Sequence, residues 1–415
     1  MSIFDLTISK RNPGYGRLLA ASSITNLGDG VSALAFPWLA TLITRDPLLI
    51  AMVGAAVRLP WLLFSIPAGV ITDRHDRKRL IVGSDTVRFV LTLAVVALIL
   101  SVVEFPPARE GLYIAGLTGL GFALGLAEVL RDNAAQTLLP SIVQKDDLEA
   151  ANGNLWTVEN IMGHFIGPPL AGVLIALALP LPFLLDAVSF AIAALLVAGI
   201  AIKPRAARPL RKPRDEMREA WTWMRAHPVI LRLAVMLGLL NGLSIMGMTL
   251  IILVSQEILQ LDAFWHGVLM TSAAAGGVAG GVFGPRLIKR IGQERAVWLA
   301  LALFPMPMLA IAVTSSVWVV AVALFVESVA ALVWNIVTVS YRQRVIPDEL
   351  LGRVNSVYRF FGWGGIPIGA LLGGLLVSLF ETVLGRELAL RLPYLLAASG
   401  MAGLALYGWR KLRIS

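Results

Sequence analysis

A chain of 415 residues with 57% hydrophobic and 15% charged side chains, a mean hydropathy of +0.79 and a net charge of +9 does not match a soluble globular domain, which carries about 25% charged residues. The basic excess is not a nucleic-acid footprint either, because Lys and Arg fall in short clusters between apolar segments. That is the pattern of positive-inside loops, with a secondary attraction to anionic lipid. The absence of cysteine rules out a disulfide framework, a thiol nucleophile and a Cys-based metal site. His75, His164, His227 and His266 stand alone, none at metal-ligand spacing, and no metal or cofactor is expected.

Residues 1–17 have no apolar core and no small-residue cleavage site, so they read as a cytoplasmic tail rather than a signal peptide. Apolar spans follow at about 17–43, 47–72, 80–103, 109–135, 152–179, 182–202, 229–255, 264–288, 294–314, 316–340, 353–380 and 388–409. A hydrocarbon core of about 30 Å calls for about 20 such residues per helix. The breaks have physical causes. DRHDRKR at 73–79 is too charged for lipid, Pro106-Pro107-Ala108-Arg109-Glu110 breaks a helix, and Pro180 and Pro182 mark a tight outer turn. Between spans nine and ten only Thr314-Ser315-Ser316 interrupts the apolar run.

Placing the N-terminus inside makes 73–79, 131–151, 203–232, 286–295, 342–353 and 410–413 cytoplasmic. Of 35 basic residues, only Arg45, Arg109, Arg386 and Arg391 then lie outside. The positive-inside rule selects this orientation, with both termini cytoplasmic, over its inverse.

The hydrophilic stretch 203–228, whose EMREAWTWMRAH portion has the composition of an amphipathic surface helix, divides six spans (1–202) from six (229–415). The halves echo one another. Gln136-Thr-Leu-Leu-Pro140, Asn152, Gly167 and Gly172 are matched by Gln343-Arg-Val-Ile-Pro347, Asn355, Gly369 and Gly373. The expected fold is an all-α membrane protein of twelve transmembrane helices in two pseudo-symmetric six-helix bundles, a recurring transporter plan.

Glycines recur at helical spacing at Gly276, Gly280 and Gly284 in span eight, with Gly277 and Gly281 beside them, at Gly365, Gly369 and Gly373, and at Gly163 and Gly167. Such stripes allow close helix packing, either static or as a moving interface. Pro168 and Pro169 remove two amide donors, so span five should bend there.

Intramembrane charge is costly and marks function or buried ion pairs. Asp29 sits between Gly28 and Gly30 near the middle of span one, with Arg58 in span two as a candidate partner. Asp85 and Arg88 are three apart and share a face, as do Glu128 and Arg131. Glu159 lies in span five and Glu327 in the middle of span ten. Asp29 is the first candidate for proton coupling and Glu327 the reserve. The alternative is that Asp29 anchors Arg58 or bonds a turn unwound at the glycines. There is no GxxxxGK[ST] loop, Ser/His/Asp order or HExxH, so neither an ATPase motor nor an enzyme is indicated.

At this point the chain resembles the major facilitator superfamily, in its multidrug/proton antiporter branch. It is similar over nearly its whole length to bacterial exporters grouped with macrolide-efflux and enterobactin-exporter proteins. Gly69-Val-Ile-Thr-Asp73-Arg74-His-Asp76-Arg77-Lys78 resembles the G-x-x-x-D-R-x-G-R-K loop signature, with Asp76 in place of Gly. The resemblance implies a cytoplasmic gate in which Asp73 caps or pairs across the inner face, with Arg131 as partner and the start of span eleven nearby. In the second half Lys289 replaces the usual Asp, so a symmetric latch is not implied. Gly163-His-Phe-Ile-Gly167-Pro168-Pro169-Leu-Ala171-Gly172 resembles the antiporter signature G-x-x-x-G-P-x-x-G-G, with Ala171 for one Gly. Leu185-Asp186-Ala-Val-Ser189-Phe190 and Gly352-Arg353-Val-Asn355-Ser356 also look like this subgroup, in a structural role or, for Asp186, a cation-coordinating one.

The function this implies is proton-coupled export of hydrophobic or amphipathic small molecules by alternating access, from a monomer in the bacterial inner membrane. Trp38, Trp61, Phe64, Trp156, Trp334 and Trp363 would line a greasy cavity or anchor at the membrane interface. Other readings are export of an endogenous siderophore or lipid-like metabolite, import, or a non-transporting membrane partner or sensor.

The topology is directly testable on a cysteine-free background. In intact spheroplasts an impermeant thiol reagent should label Ala108→Cys and spare Arg211→Cys. The reverse pattern would invert the orientation.

Overall fold

The computed structural model describes residues 7–144, 147–201 and 213–413, leaving outside that description the side chains of residues 7, 66, 70, 73, 74, 149, 213–217, 348, 349, 351 and 352. After a short turn of helix at Thr7–Arg11 come twelve long helical segments. They are α1 (Pro13–Ile43), α2 (Pro47–Arg74), α3 (Arg77–Leu100), α4 (Glu110–Ile142), α5 (Ala150–Leu177), α6 (Leu181–Ala198), α7 (Pro228–Ile258), α8 (Ala263–Ile291), α9 (Gln293–Val313), α10 (Val317–Val345), α11 (Asp348–Leu384) and α12 (Arg386–Lys411).

Eleven of them contain stretches long and apolar enough to cross a membrane. The exception is α1. Its 31 residues reach about 46 Å at 1.5 Å per residue, but Ser22, Ser23, Thr25, Asn26 and Asp29 dilute its apolar character. A helix this polar in its middle must turn that face toward other protein groups or water.

The ends of these helices follow from local chemistry. Asn12 accepts from the Tyr15 amide at 3.1 Å and caps α1. Asp76, where the resembled loop signature has Gly, caps α3 by accepting from the Arg79 amide at 2.8 Å, satisfying a free donor of the first turn. Asp46 and Asp262 do the same for α2 and α8 through the amides of Leu48 and Trp265. The α8–α9 and α11–α12 connections are single glycines, Gly292 and Gly385, with φ of 86° and 81°. Only glycine adopts that region without strain.

Three segments are less regular than expected. The bend predicted at Pro168–Pro169 is preceded by a π-helical stretch, Glu159–Ile166. Neither proline can donate to the carbonyl one turn back, so the preceding turn widens. In α7 the helix is interrupted at Thr249–Leu250 and ends in a π-helical turn, Val254–Ile258. In α9 a break falls at Phe304, just before Pro305.

Two compact units result. The first comprises Met1–Arg45, Ala56–Arg208 and Asp262–Val268; the second comprises Asp46–Ala55, Pro209–Leu261 and Leu269–Ser415. The first turns of α2 therefore group with the second unit and those of α8 with the first, which differs from a single cut at the linker. Close packing accounts for this. Within the first unit a Cβ on Gly172 would fall 2.5 Å from the Ala263 carbonyl oxygen, and within the second a Cβ on Gly374 would fall 2.7 Å from that of Pro47.

Helix pairing repeats with an offset of six. α1 packs on α5 and α6, and α3 on α4 and α6; α7 packs on α11 and α12, and α9 on α10 and α12. The surface helix Pro213–Ala226 buries Ala220 and Met224 and stacks Trp221 on Phe361 of α11 at 6.0 Å.

The α1–α5 and α7–α11 crossings rest on glycine. A Cβ on Gly167 would lie 2.7 Å from the Gly30 Cα, and one on Gly369 2.9 Å from the Gly242 Cα. In span eight, Gly276 and Gly280 sit against α10, whereas Gly277 has no atom within 4 Å of where its Cβ would be. Gly167→Leu and Gly369→Leu should therefore force helices apart, losing at least the roughly 1–3 kcal/mol typical of overpacking and most transport. Gly277→Leu should be tolerated. Wild-type thermal stability and transport from either of the first two, measured on purified and reconstituted protein, would remove the close-packing argument.

Candidate functional site

The first unit contains a layer of charge that apolar helices alone would not hold. Thr25, Asp29 and Ser32 occupy one face of α1 at helical spacing, and Asp85, Arg88 and Thr92 one face of α3. α4 adds Glu128 and Arg131, and α6 adds Asp186, Ser189 and Phe190. Asp85 is 0%, Asp186 2%, Arg88 4% and Arg131 7% exposed. The Asp29 side chain, at 37%, is the member of its ion pair that reaches open space.

The partners differ from those suggested by local spacing. Asp29 pairs with Arg88, not with Arg58. Asp85 does not bond Arg88 three residues on; its Oδ1 faces the Arg131 Nε at 3.6 Å. Arg131 also donates to Thr25 Oγ1 at 3.1 Å and to Asp132 at 3.2 Å. It is thus engaged within the first unit; Asp73, which the resemblance makes its partner, has its side chain, like that of Arg74, outside the described residues. The Arg88 guanidinium carbon lies 3.9 Å from the centre of the Phe190 ring, a cation–π contact in a desolvated setting.

Asp186, for which the resemblance implies a structural or cation-coordinating role, lies in this charge layer. One of its carboxylate oxygens accepts from Ser32 and the other has no hydrogen-bond partner. It approaches α1 because residue 28 is glycine: a Cβ there would lie 3.1 Å from the Ser189 Cβ and collide with the Asp186 carboxylate. The two glycines flanking Asp29 thus have distinct roles, Gly28 admitting α6 and Gly30 admitting the α5 backbone. The available signal was Asp186 as the lone charge in the block 177–202.

The other predicted residues separate. Glu128 is half-buried and lies in electrostatic range of Arg88 and Arg58, while Arg58 itself is exposed. Glu159 is exposed at the start of the π-helical stretch. Glu327 lies in the second unit, half-buried, and accepts from Ser244 of α7.

At the α2–α3 turn, Arg77 donates to the Thr137 carbonyl at 2.7 Å and Lys78 to the Ile200 carbonyl at 2.9 Å. The second contact places a cation at the C-terminal end of α6, where the helix dipole favours it. Gly69 has open space around it.

A match to the family model described as transmembrane secretion effector runs over residues 10–406. The chain belongs to this family of the major facilitator superfamily. It is 23% identical to a staphyloferrin A transporter of Staphylococcus aureus, covering 88% of this chain and 89% of that one. It is 24% identical to an enterobactin exporter, EntS, of Escherichia coli, covering 90% and 88%. Among solved structures it resembles an inward-facing bacterial homologue of the iron transporter ferroportin, with TM-score 0.73, 19% identity and coverage of 95% and 98%. It also resembles the nucleoside transporter NupG, with TM-score 0.75, 12% identity and coverage of 96% and 100%. These likenesses show the twelve-helix fold, and the protein is a multi-pass membrane transporter.

The Asp85–Arg131 contact makes a stability prediction for this transporter. Arg131→Gln leaves a fully buried carboxylate without its ion pair and should lower stability by about 3–5 kcal/mol. Adding Asp85→Asn should recover part of that loss. Thermal unfolding of the detergent-solubilised single and double variants checks it, and additive losses would mean the two residues are not coupled.

Proposed function

We propose that this transporter is a proton-coupled exporter of hydrophobic or amphipathic small molecules, working as a monomer in the bacterial inner membrane by alternating access. The observation that carries the reading is the Asp29–Arg88 pair, in which a half-exposed carboxylate holds an almost fully buried arginine. A proton reaching Asp29 cancels the charge that balances Arg88 and frees the guanidinium to be drawn to Asp186, Asp85 or Glu128, all within its electrostatic range. Loss of the proton restores the pair. Such a change of partner biases two arrangements of α1 and α3, which is what coupling requires. The α5 segment Gly163–Gly172, with its likeness to the antiporter signature, supports export over import.

Asp29→Asn keeps size and hydrogen bonding and removes titration. In proteoliposomes it should abolish accumulation driven by an imposed pH gradient while downhill exchange survives. Intact uphill transport by the Asn variant would take Asp29 out of the proton path.

A second reading, export of an endogenous siderophore, is favoured by the names of the staphyloferrin A and enterobactin relatives. It is compatible with the same coupling site and concerns only the cargo.

A further inference from the structure

Among the described residues the second unit buries two arginines, Arg342 and Arg391, each 9% exposed. Arg391 has Glu387 at 2.8 Å. Arg342, near the inner end of α10, has no acid: among the described residues its partners are all neutral. Its Nε donates to the Thr338 carbonyl at 3.3 Å and its Nη1 to Asn355 Oδ1 at 2.7 Å, and its guanidinium carbon lies 3.7 Å from the centre of the Tyr358 ring. The remaining nitrogen, Nη2, donates to none of the described residues and is not enclosed, so it opens to the surface. Asn355 belongs to the Gly352–Ser356 stretch that the function has not absorbed, and here it aims Arg342. Arg359 follows Asn355 by one turn on the same face of α11, a spacing that sets Cβ atoms about 5–6 Å apart. It is exposed, makes no hydrogen bond or ion pair among the described residues, and lies in electrostatic range of Arg342. One turn further along that face, Trp363 is 37% exposed.

Two like charges held together, one of them taken out of water, cost free energy unless an anion balances them. Asn355, Thr338 and the Tyr358 ring satisfy the geometry of Arg342 but not its charge. We infer that Arg342 and Arg359 form a binding site for the oxyanion head, a carboxylate or a phosphate, of an amphipathic molecule. A guanidinium presents paired N–H groups whose spacing matches two oxygens of either group. Arg342 Nη2 donates from the buried side, fixed by its contacts with Asn355 and Tyr358, and Arg359 closes from the open side. Trp363 offers apolar surface to the body of the molecule. The loop 342–353 reads as cytoplasmic, so the site is reached from the cytoplasm or the inner leaflet.

This inference rests on the exporter reading only for what the molecule is to the cell, because its test is equilibrium binding without any gradient. The probes are 11-(dansylamino)undecanoic acid, a fluorescent amphipathic carboxylate, and its neutral methyl ester, titrated into purified protein in a neutral detergent. Wild type should bind the acid at least about tenfold more tightly than the ester. Arg359→Gln, an exposed change that breaks no contact of the fold, should bring the preference to about threefold or less with little change for the ester. Arg342→Gln should do the same, and Arg342→Lys, which keeps the charge, should retain a preference and guard against misfolding as the cause. Equal wild-type affinities, absence of saturable binding of the acid, or an unchanged preference in Arg359→Gln would overturn the proposal. Titration in phosphatidylcholine nanodiscs separates the sources of the oxyanion. Competition by added phosphatidylglycerol that Arg359→Gln removes would make it a lipid head group, and an affinity unchanged by that lipid would make it a cargo. Proton-driven transport by a protein with no preference for the acid would sink this inference and leave the exporter reading standing; a kept preference without such transport would do the reverse.

Discussion

Arg88 and Arg131 are buried at 4% and 7% exposure within a bundle whose core is mainly apolar, and each must meet its own charge balance there. Removing an ion from water is expensive unless geometry and hydrogen bonding return the loss. For Arg131 the return comes from Asp85, Asp132 and Thr25; for Arg88 it comes from Asp29 and the face of Phe190. These contacts span α1, α3, α4 and α6, so the rotation of four helices about their axes is set by the need to close one electrostatic layer. Within it, Asp29 is half-exposed while Asp85, Arg88, Arg131 and Asp186 are buried, and that difference gives the layer a contact with its surroundings.

The close approach that lets this layer form is a backbone matter. Between lipid-embedded helices there is little hydrophobic drive, so contact area and small residues decide packing. Gly28 allows α6 to bring Asp186 onto α1, and Gly30 opposite Gly163 and Gly167 brings in α5. In the second unit Gly238 and Gly242 meet Gly365 and Gly369 on the matching helix pair. Small details repeat as well: Arg17 of α1 donates to the Gly199 carbonyl after α6, and Arg232 of α7 to the Lys411 carbonyl at the end of α12. Packing and capping are duplicated. Among the described residues the layer around Arg88 and Arg131 is not.

What could be read beforehand follows the range of the forces involved. Span number, the Thr314–Ser316 break and the irregularity of α5 were legible because hydropathy, local polarity and missing proline amides act within a turn or two. The echo was legible in outline, yet the partner of Gly172 is Gly374 rather than Gly373, since both meet the first turn of a neighbouring helix in the same way. The ion pairs were not legible. Asp85 and Arg88 share a face, but which acid meets which base depends on how α1 and α4 cross α3, and no local spacing encodes that. The Thr249–Leu250 interruption has no proline to announce it. Two of the four basic residues on the predicted outer side are explained only by folding. Arg386 is held by Glu257 and Glu381, and Arg391 by Glu387 together with carbonyls of Ala312 and Thr314 at the end of α9.

A duplicated scaffold with charge concentrated in one half has a mechanical consequence. Two states of a coupled transporter differ in free energy only through interactions that change between them. In the coupling proposed above, a proton on Asp29 alters the partner of Arg88 in the first unit and so acts on α1 and α3 together. In the second unit the ion pairs of Arg386 and Arg391 lie at the α11–α12 end, and Glu327 in the middle of α10 accepts from one serine beside an apolar core. The glycine crossings are common to both halves, so on that proposal what distinguishes the first half is the charge layer that a proton can bias.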